Sequence, residues 1–436
     1  MTMHGPSRRP RTALAVSSVA LTFVAASGCG SGSAGGGDTQ TLTYWTSQQG
    51  PTAAATLDTL KPVLAKFTEK TGIKVKVQNI DWAHLQDKIL TAVASGQGPD
   101  LVNIGNTWAP QMQKTGAFVD FDAAKLKKIG GQDKFLASSF ATTGQEGKTP
   151  SSIPLYALAY GMFYNKKMFA EAGIDGPPTT WAELVADGKK LTHDDQWGLT
   201  ISNSMTENAH FAFLLGAQHG AELFDSAGKP DFTSDAEVAA VKQYVNFMGK
   251  EGIVNPSDAQ NGNDASAALN AFANGKAAMV INQNNGVQNL KAAGMEDYGT
   301  AELPVLEGGE NVKTFPAGIN IAVFKNTDNL DGALKLVKFL TDDAAQKKLN
   351  EEFTSLPVTS SGYENAPAFS REELKPFQQA LKTAAKPLPK IPQEGDFETQ
   401  VGTAMQTLFA KAAQEGAVST DEVRAALASA ESKMPK

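Results

Sequence analysis

TLTYWTSQQG at residues 41–50, followed by GIKVKVQNIDWAHLQDKILTAVASGQGPDLVNIGNTW at 72–108, decides the fold. Leu42 to Thr46 alternates as a strand, and a polar turn at Ser47 to Gly50 leads into Leu57, Leu60, Val63, Leu64 and Phe67, spaced for one face of a helix. Gly72 stops that helix. Ile73, Val75 and Val77 alternate into a second strand, and His84 to Ala94 carries Leu85, Ile89, Leu90 and Val93 on one helical face. Gly96 and Gly98 break it before a third strand, Leu101 to Ile104. Strand, helix, strand, helix, strand implies an α/β fold with a mainly parallel sheet, and ligands of such open sheets sit beyond the carboxyl ends of the strands. The loops at Ser47, Asp81 and Asn106 become the candidates for a site.

Working outward, 436 residues favour two or three domains at roughly 150 residues each. Hydrophobic residues at 41% and charged residues at 19% are globular usage. A spanning helix needs about 20 apolar residues. The longest apolar run, Ala13 to Ala26, falls short of that, which excludes a multipass membrane protein. Lys and Arg total 39 against 46 Asp and Glu, for a formal charge of -7, and no basic stripe suggests nucleic acid as a partner. Downstream, Ile153 to Tyr156 and Tyr160 to Tyr164 read as strands, with helices at 167–172, 181–191, 209–215 and 237–248. Ala277 to Ile281 and Ile319 to Phe324 read as strands too, and helices follow at 330–340, 344–352 and beyond Glu398.

Residues 1–28 hold no acid, place Arg8, Arg9 and Arg11 ahead of the apolar run, and close on Ala25, Ala26, Ser27 and Gly28, as a secretory signal peptide does. Cys29 is the only cysteine, so a disulfide within the chain is excluded. The stretch Ala26 to Cys29 resembles the lipobox of bacterial lipoproteins, which implies lipidation of Cys29 and anchorage to the outer face of the cell membrane. Ser7-Arg8-Arg9 also has the look of a twin-arginine signal, and both export routes stay open. Residues 29–41 then form a lipidated Gly/Ser-rich tether.

No paired histidines at zinc spacing, no nucleophile elbow and no phosphate or dinucleotide loop is present, so metal, cofactor and hydrolase readings lack their carriers. The acid pairs Asp120/Asp122 and Asp194/Asp195 read as solvated faces. What stands out is a set of aromatics and amides at strand ends: Trp45, Trp82, Asn106, Trp108, Tyr156, Asn203, and Asn282 to Asn285. Rings stack on the apolar face of a sugar, and amides pair with its hydroxyls. Each Trp taken alone is more often a core residue than a ligand platform, and runs such as Asn284-Asn285-Gly286 are commonly turns.

Thr43-Tyr44-Trp45, Phe67 to Val75, Ala92 to Asp100, Gly116 to Phe121, Tyr164-Asn165-Lys166, Pro178 to Leu184, Phe272 to Met279 and Ala317 to Thr341 stand in an order that resembles the carbohydrate-binding branch of the extracellular solute-binding proteins of ABC importers. The resemblance implies a type II, two-lobe periplasmic-binding-protein-like fold with the ligand cleft between the lobes. Lobe one is expected from 42–152 plus 316–356 and lobe two from 153–315 plus 357–436. Carried over by position, the ligand contacts of lobe one are Trp45, Ser47, Gln49, Asp81, Trp82, Asn106, Thr107 and Trp108. Those of lobe two are Tyr156, Asn203, Asn208, His210, Asn282, Gln283, Asn284, Asn285, Phe315, Phe397 and Glu398. The implied function is capture of a mono- or oligosaccharide and its delivery to permease subunits, by a monomer that is not an enzyme, needs no cofactor or metal, and touches the membrane only through its lipid. A receptor of the same fold for a polyamine or peptide, and a secreted carbohydrate-active enzyme, are the alternatives.

Overall fold

The computed structural model describes residues 40–225, 227–262, 266–365 and 371–435; the signal peptide, Cys29 and most of the tether lie outside the described residues. The first strand, β1 (Thr41–Ser47), leads into helix α1 (Ala53–Thr71), then β2 (Lys74–Ile80), α2 (Trp82–Ser95) and β3 (Leu101–Gly105). The expected stops are real. Thr52 caps α1 by accepting from the Ala55 N–H, and Gly72 ends it in the left-handed region at φ 74°, where a residue without Cβ meets no strain. β2 pairs parallel with β1, and β1 parallel with β3.

Two more strands complete this first sheet, in the order β2-β1-β3-β9-β4, where β4 is Ile153–Leu158 and β9 is Ala317–Val323. Both neighbours of β9 run antiparallel to it, so β1 to β4 all run the same way, the mainly parallel arrangement expected, and β9 alone opposes them. The reason is connectivity: β9 re-enters the sheet from the far part of the chain instead of through a helical crossover, which parallel neighbours require. One face of the sheet is covered by α1 and the helices at 330–353, burying Tyr44, Phe67, Ile321 and Val337. The other is covered by α2 and a short helix α3 (Ala109–Lys114), burying Ile89, Val102, Ile104 and Trp108.

A second sheet has the order β6-β7-β5-β8, built from β5 (Tyr160–Asn165), β6 (Trp197–Thr200), β7 (Ala277–Gln283) and β8 (Tyr298–Ala301). Its core is mostly helical: α4 (Met205–Gln218), α5 (Asp235–Asn246) and α6 (Glu394–Glu415) bury Phe211, Tyr244, Phe397 and Phe409 together. At Gly402 a Cβ would stand 2.1 Å from the Met205 carbonyl, so glycine sets how closely α6 crosses the start of α4.

The chain passes from the first sheet to the second at Ala159, because Ile153–Leu158 is hydrogen-bonded into the first; the departure expected at Ile153 falls six residues later. Tyr156 therefore sits in the first sheet, not on the second lobe where the resemblance puts it. Asn284 ties two crossings together. Its Oδ1 accepts from Ala159 N–H at 2.8 Å, and its Nδ2 donates to the Thr354 carbonyl at 2.6 Å. The Thr314 hydroxyl, beside the return crossing, accepts from Tyr160 N–H at 2.9 Å.

Candidate functional site

The carboxyl ends of β1, β2 and β3 bring Ser47, Trp82 and Trp108 to one edge of the first sheet. Trp82 opens α2 and Trp108 directly precedes α3, and the two indoles stack with centroids 4.5 Å apart at 22°. Gly105 makes room for them: a Cβ there would be 3.1 Å from each ring. Trp108 is 2% exposed and belongs to the core under α2. Its Nε1 donates to Glu398 Oε2 at 2.7 Å, a bond from the first sheet's edge to α6.

Glu398 in turn meets His210 of α4, Oε1 to Nε2 at 2.9 Å, and His210 Nδ1 lies 2.9 Å from the Tyr160 hydroxyl at the start of β5. All four side chains are buried. Burial, then the charges of Glu207 and Glu398, push the Tyr160 hydroxyl well above its usual range, so it keeps its proton. Burial works against a charge on Glu398, but the His210 hydrogen bond and charge, then the Trp108 hydrogen bond, bring its carboxyl below the ordinary value. One turn earlier, Glu394 is pushed well above it, by burial and then by the Glu398 charge.

Other expected contacts cluster less tightly. Ser47 and Gln49 are buried, Gln49 Nε2 donates to Ser47 Oγ at 2.9 Å, and among the described residues Gln49 Oε1 has no hydrogen-bond partner. The Gln49 carbonyl accepts from Gln288 of the segment after β7, a second link between the halves. Trp45 is half-buried with the Lys88 ammonium 4.5 Å from its ring centroid. Asp81 is exposed and caps α2 through Ala83 N–H. Asn106 donates to the Pro316 carbonyl at 2.8 Å, beside the return crossing.

Several amides are occupied by the protein itself. Asn203 donates to the Ala259 carbonyl and accepts from Asn208, each at 2.8 Å, and Asn284 holds the crossings. Asn282 accepts from Gln283 N–H through its side chain, whereas at Asn285 it is the backbone carbonyl that accepts from the Thr354 hydroxyl. Phe315 packs edge-on against His210 with centroids 4.7 Å apart. Phe397 is fully buried between Phe224 and Phe232, inside the second core instead of on the cleft, because the face of α6 that carries it points at that core. Tyr156 packs edge-on against Phe353 in the first sheet.

Asn106, Thr107 and Phe315 border a cavity of about 220 Å³, together with Glu394. A larger one, about 1080 Å³, runs past Asn106, Tyr156, Lys313 and Asn320. Sequence reasoning missed Tyr160, Gln288 and Glu394; the spacing of Glu394 and Glu398, four apart on one helix, was the available signal for the last. Among the described residues no group of His, Cys, Asp or Glu is arranged to hold a metal ion, and no helix is long and apolar enough to cross a membrane.

This architecture has known counterparts. An ABC transporter solute-binding protein from Thermotoga lettingae TMO, solved with alpha-D-tagatose, superposes with a TM-score of 0.76 at 24% identity, covering 89% of this chain and 100% of that one. The maltose-bound MalE3 of T. maritima does so with a TM-score of 0.76 at 18% identity, over 89% and 99%. In sequence, the sn-glycerol-3-phosphate-binding periplasmic protein UgpB of Agrobacterium fabrum is 25% identical over 361 residues, 73% of this chain and 81% of that protein. The family model of the bacterial extracellular solute-binding protein matches residues 50–347, more than half of the length, and the chain belongs to that family.

Proposed function

We propose that this protein is an exported receptor, anchored to the outer face of the cell membrane through lipidated Cys29, that captures a mono- or oligosaccharide between two lobes and delivers it to the permease of an ABC importer. The observation that carries the reading is the link from Trp108 to Glu398 and His210: side chains at the ends of the first sheet's strands meet side chains of α4 and α6 in a buried polar contact. Family members are binding proteins, and the solved relatives hold tagatose and maltose. Residues 42–158 with 316–356 form the first lobe in this reading, and most of the remainder the second. A sugar touching both lobes favours the closed arrangement by its differential affinity, and only that difference can shift the population a permease reads.

A thermal-shift panel of maltose, D-tagatose, ribitol, glycerol 3-phosphate and spermidine tests this. A ligand at a hundredfold excess over its Kd adds about 2.7 kcal/mol to the stability of the folded state. A neutral sugar or polyol is expected to raise the melting temperature without being turned over. A response confined to glycerol 3-phosphate or spermidine would refute the saccharide reading, and consumption of the sugar would refute the receptor.

A further inference from the structure

Glu394 is the first residue of α6 and 1% exposed, yet among the described residues no group donates a hydrogen bond to either oxygen of its carboxyl. Leaving a buried polar group unanswered costs free energy that folding alone does not recover. The carboxyl borders the cavity of about 220 Å³ beside Asn106, Thr107 and Phe315, several times the room one water needs. Around it stand Glu398 and Asp396 on its own helix, Lys390 on the connector and, behind Glu398, His210 of α4. Lys390 faces Glu146 at 3.9 Å, and among the described residues no cation pairs with Glu394.

A carboxyl that keeps its proton presents a hydroxyl and a carbonyl oxygen on one carbon. Two adjacent hydroxyls match that pattern, since each can donate and accept. A ring edge also needs an apolar wall, and Phe315 supplies it at the same cavity. We propose that Glu394 is a specificity-determining residue, binding a pair of adjacent hydroxyls of a neutral sugar or polyol in the cavity it shares with Asn106, Thr107 and Phe315. This rests on the saccharide reading above.

The test is calorimetry of maltose, D-tagatose and ribitol, and of singly deoxygenated analogues of whichever binds, with the wild type, Glu394→Gln and Glu394→Met. The amide keeps the shape, and the Met variant keeps the length without polar atoms. Glu394→Met is expected to bind about 10- to 100-fold more weakly, the range for one or two lost hydrogen bonds, whereas Glu394→Gln keeps a donor and an acceptor on one carbon and is expected to bind nearly as the wild type does. The melting temperature of the empty protein is expected to hold or rise. One deoxygenated analogue should bind poorly to the wild type, and removing its hydroxyl should cost nothing further in Glu394→Met. If a neutral ligand binds wild type and variants equally, the saccharide reading stands and the role of Glu394 falls. If none of the three binds the wild type, the reading itself falls and takes this assignment with it.

Discussion

Replacing Trp108 with Phe removes one N–H and leaves an aromatic ring against Trp82. In the native protein that N–H reaches Glu398 Oε2 at 2.7 Å, and Glu398 is 1% exposed, so no bulk water takes over as donor. Hydrogen bonds to charged groups are worth about 1.5–3 kcal/mol, and a buried acceptor left unpaired costs a similar amount. Because the partners lie on opposite halves of the molecule, the loss falls on the closed arrangement and spares each half. It should therefore disfavour closure by about 10- to 150-fold, and weaken any ligand that requires closure by up to the same factor. Calorimetry with the sugar identified by the melting panel measures the affinity, and small-angle scattering measures the compactness of the empty protein. The expected outcome is a more expanded empty state, weaker binding and nearly unchanged melting. Unchanged affinity combined with a large loss of ligand-free stability would refute the reasoning, since it would make Trp108 a packing residue and nothing else.

How far the sequence carried the reading depends on what each residue type can signal. The βαβαβ start was legible because its periods are local: the helical spacing from Leu60 to Phe67 and the stop at Gly72 need no information from elsewhere in the chain. β4 gave no such help. All six of its residues are buried, so no face pattern marks its sheet, and its partner β9 lies more than 150 residues downstream. The site shows the same divide. Strand-end positions followed from topology, and Trp108, Glu398 and His210 do come together. The amides were ambiguous by nature, because the donor and acceptor pair that suits a sugar hydroxyl equally suits a buried peptide group. Asn284 spends both on Ala159 and Thr354, and Asn203 spends its on Ala259 and Asn208. Sequence names the functional group; only the fold assigns its partner. Phe397 makes the same point for apolar residues, since its neighbour Glu398 reaches Trp108 at the edge of the first sheet while Phe397 itself faces the second core.

Further outcomes follow from the same contacts. Cys29→Ser should move the protein from the membrane fraction to the soluble one or leave the precursor uncleaved, with sugar binding intact; fractionation showing equal distributions would reject the anchor. Asn284→Ala should leave Ala159 N–H and the Thr354 carbonyl unanswered, at about 1–3 kcal/mol each, and appear as a lower melting temperature; unchanged melting would reject the role of that side chain at the crossings. The pH dependence of stability should carry a contribution from Glu237, on α5. Its carboxyl is buried against Gly216 of α4, where a Cβ would come within 2.0 Å of Oε2, and among the described residues neither oxygen has a hydrogen-bond partner. Burial, reinforced by the charge of Asp231, raises it from the usual 4.5 to about 8. Between those two values the folded protein holds a proton that the unfolded chain gives up, so stability falls as pH rises through that interval. The contribution is complete below the lower value and gone above the upper one. Glu207, Asp258 and Glu394 are raised as well and slope the same way, so the wild-type curve alone does not single out Glu237. Glu237→Gln does: it should flatten the decline in melting temperature between pH 5 and pH 8 and gain most over the wild type at pH 8. Parallel curves for the two proteins would mean that Glu237 ionises no differently in the folded chain than in the unfolded one.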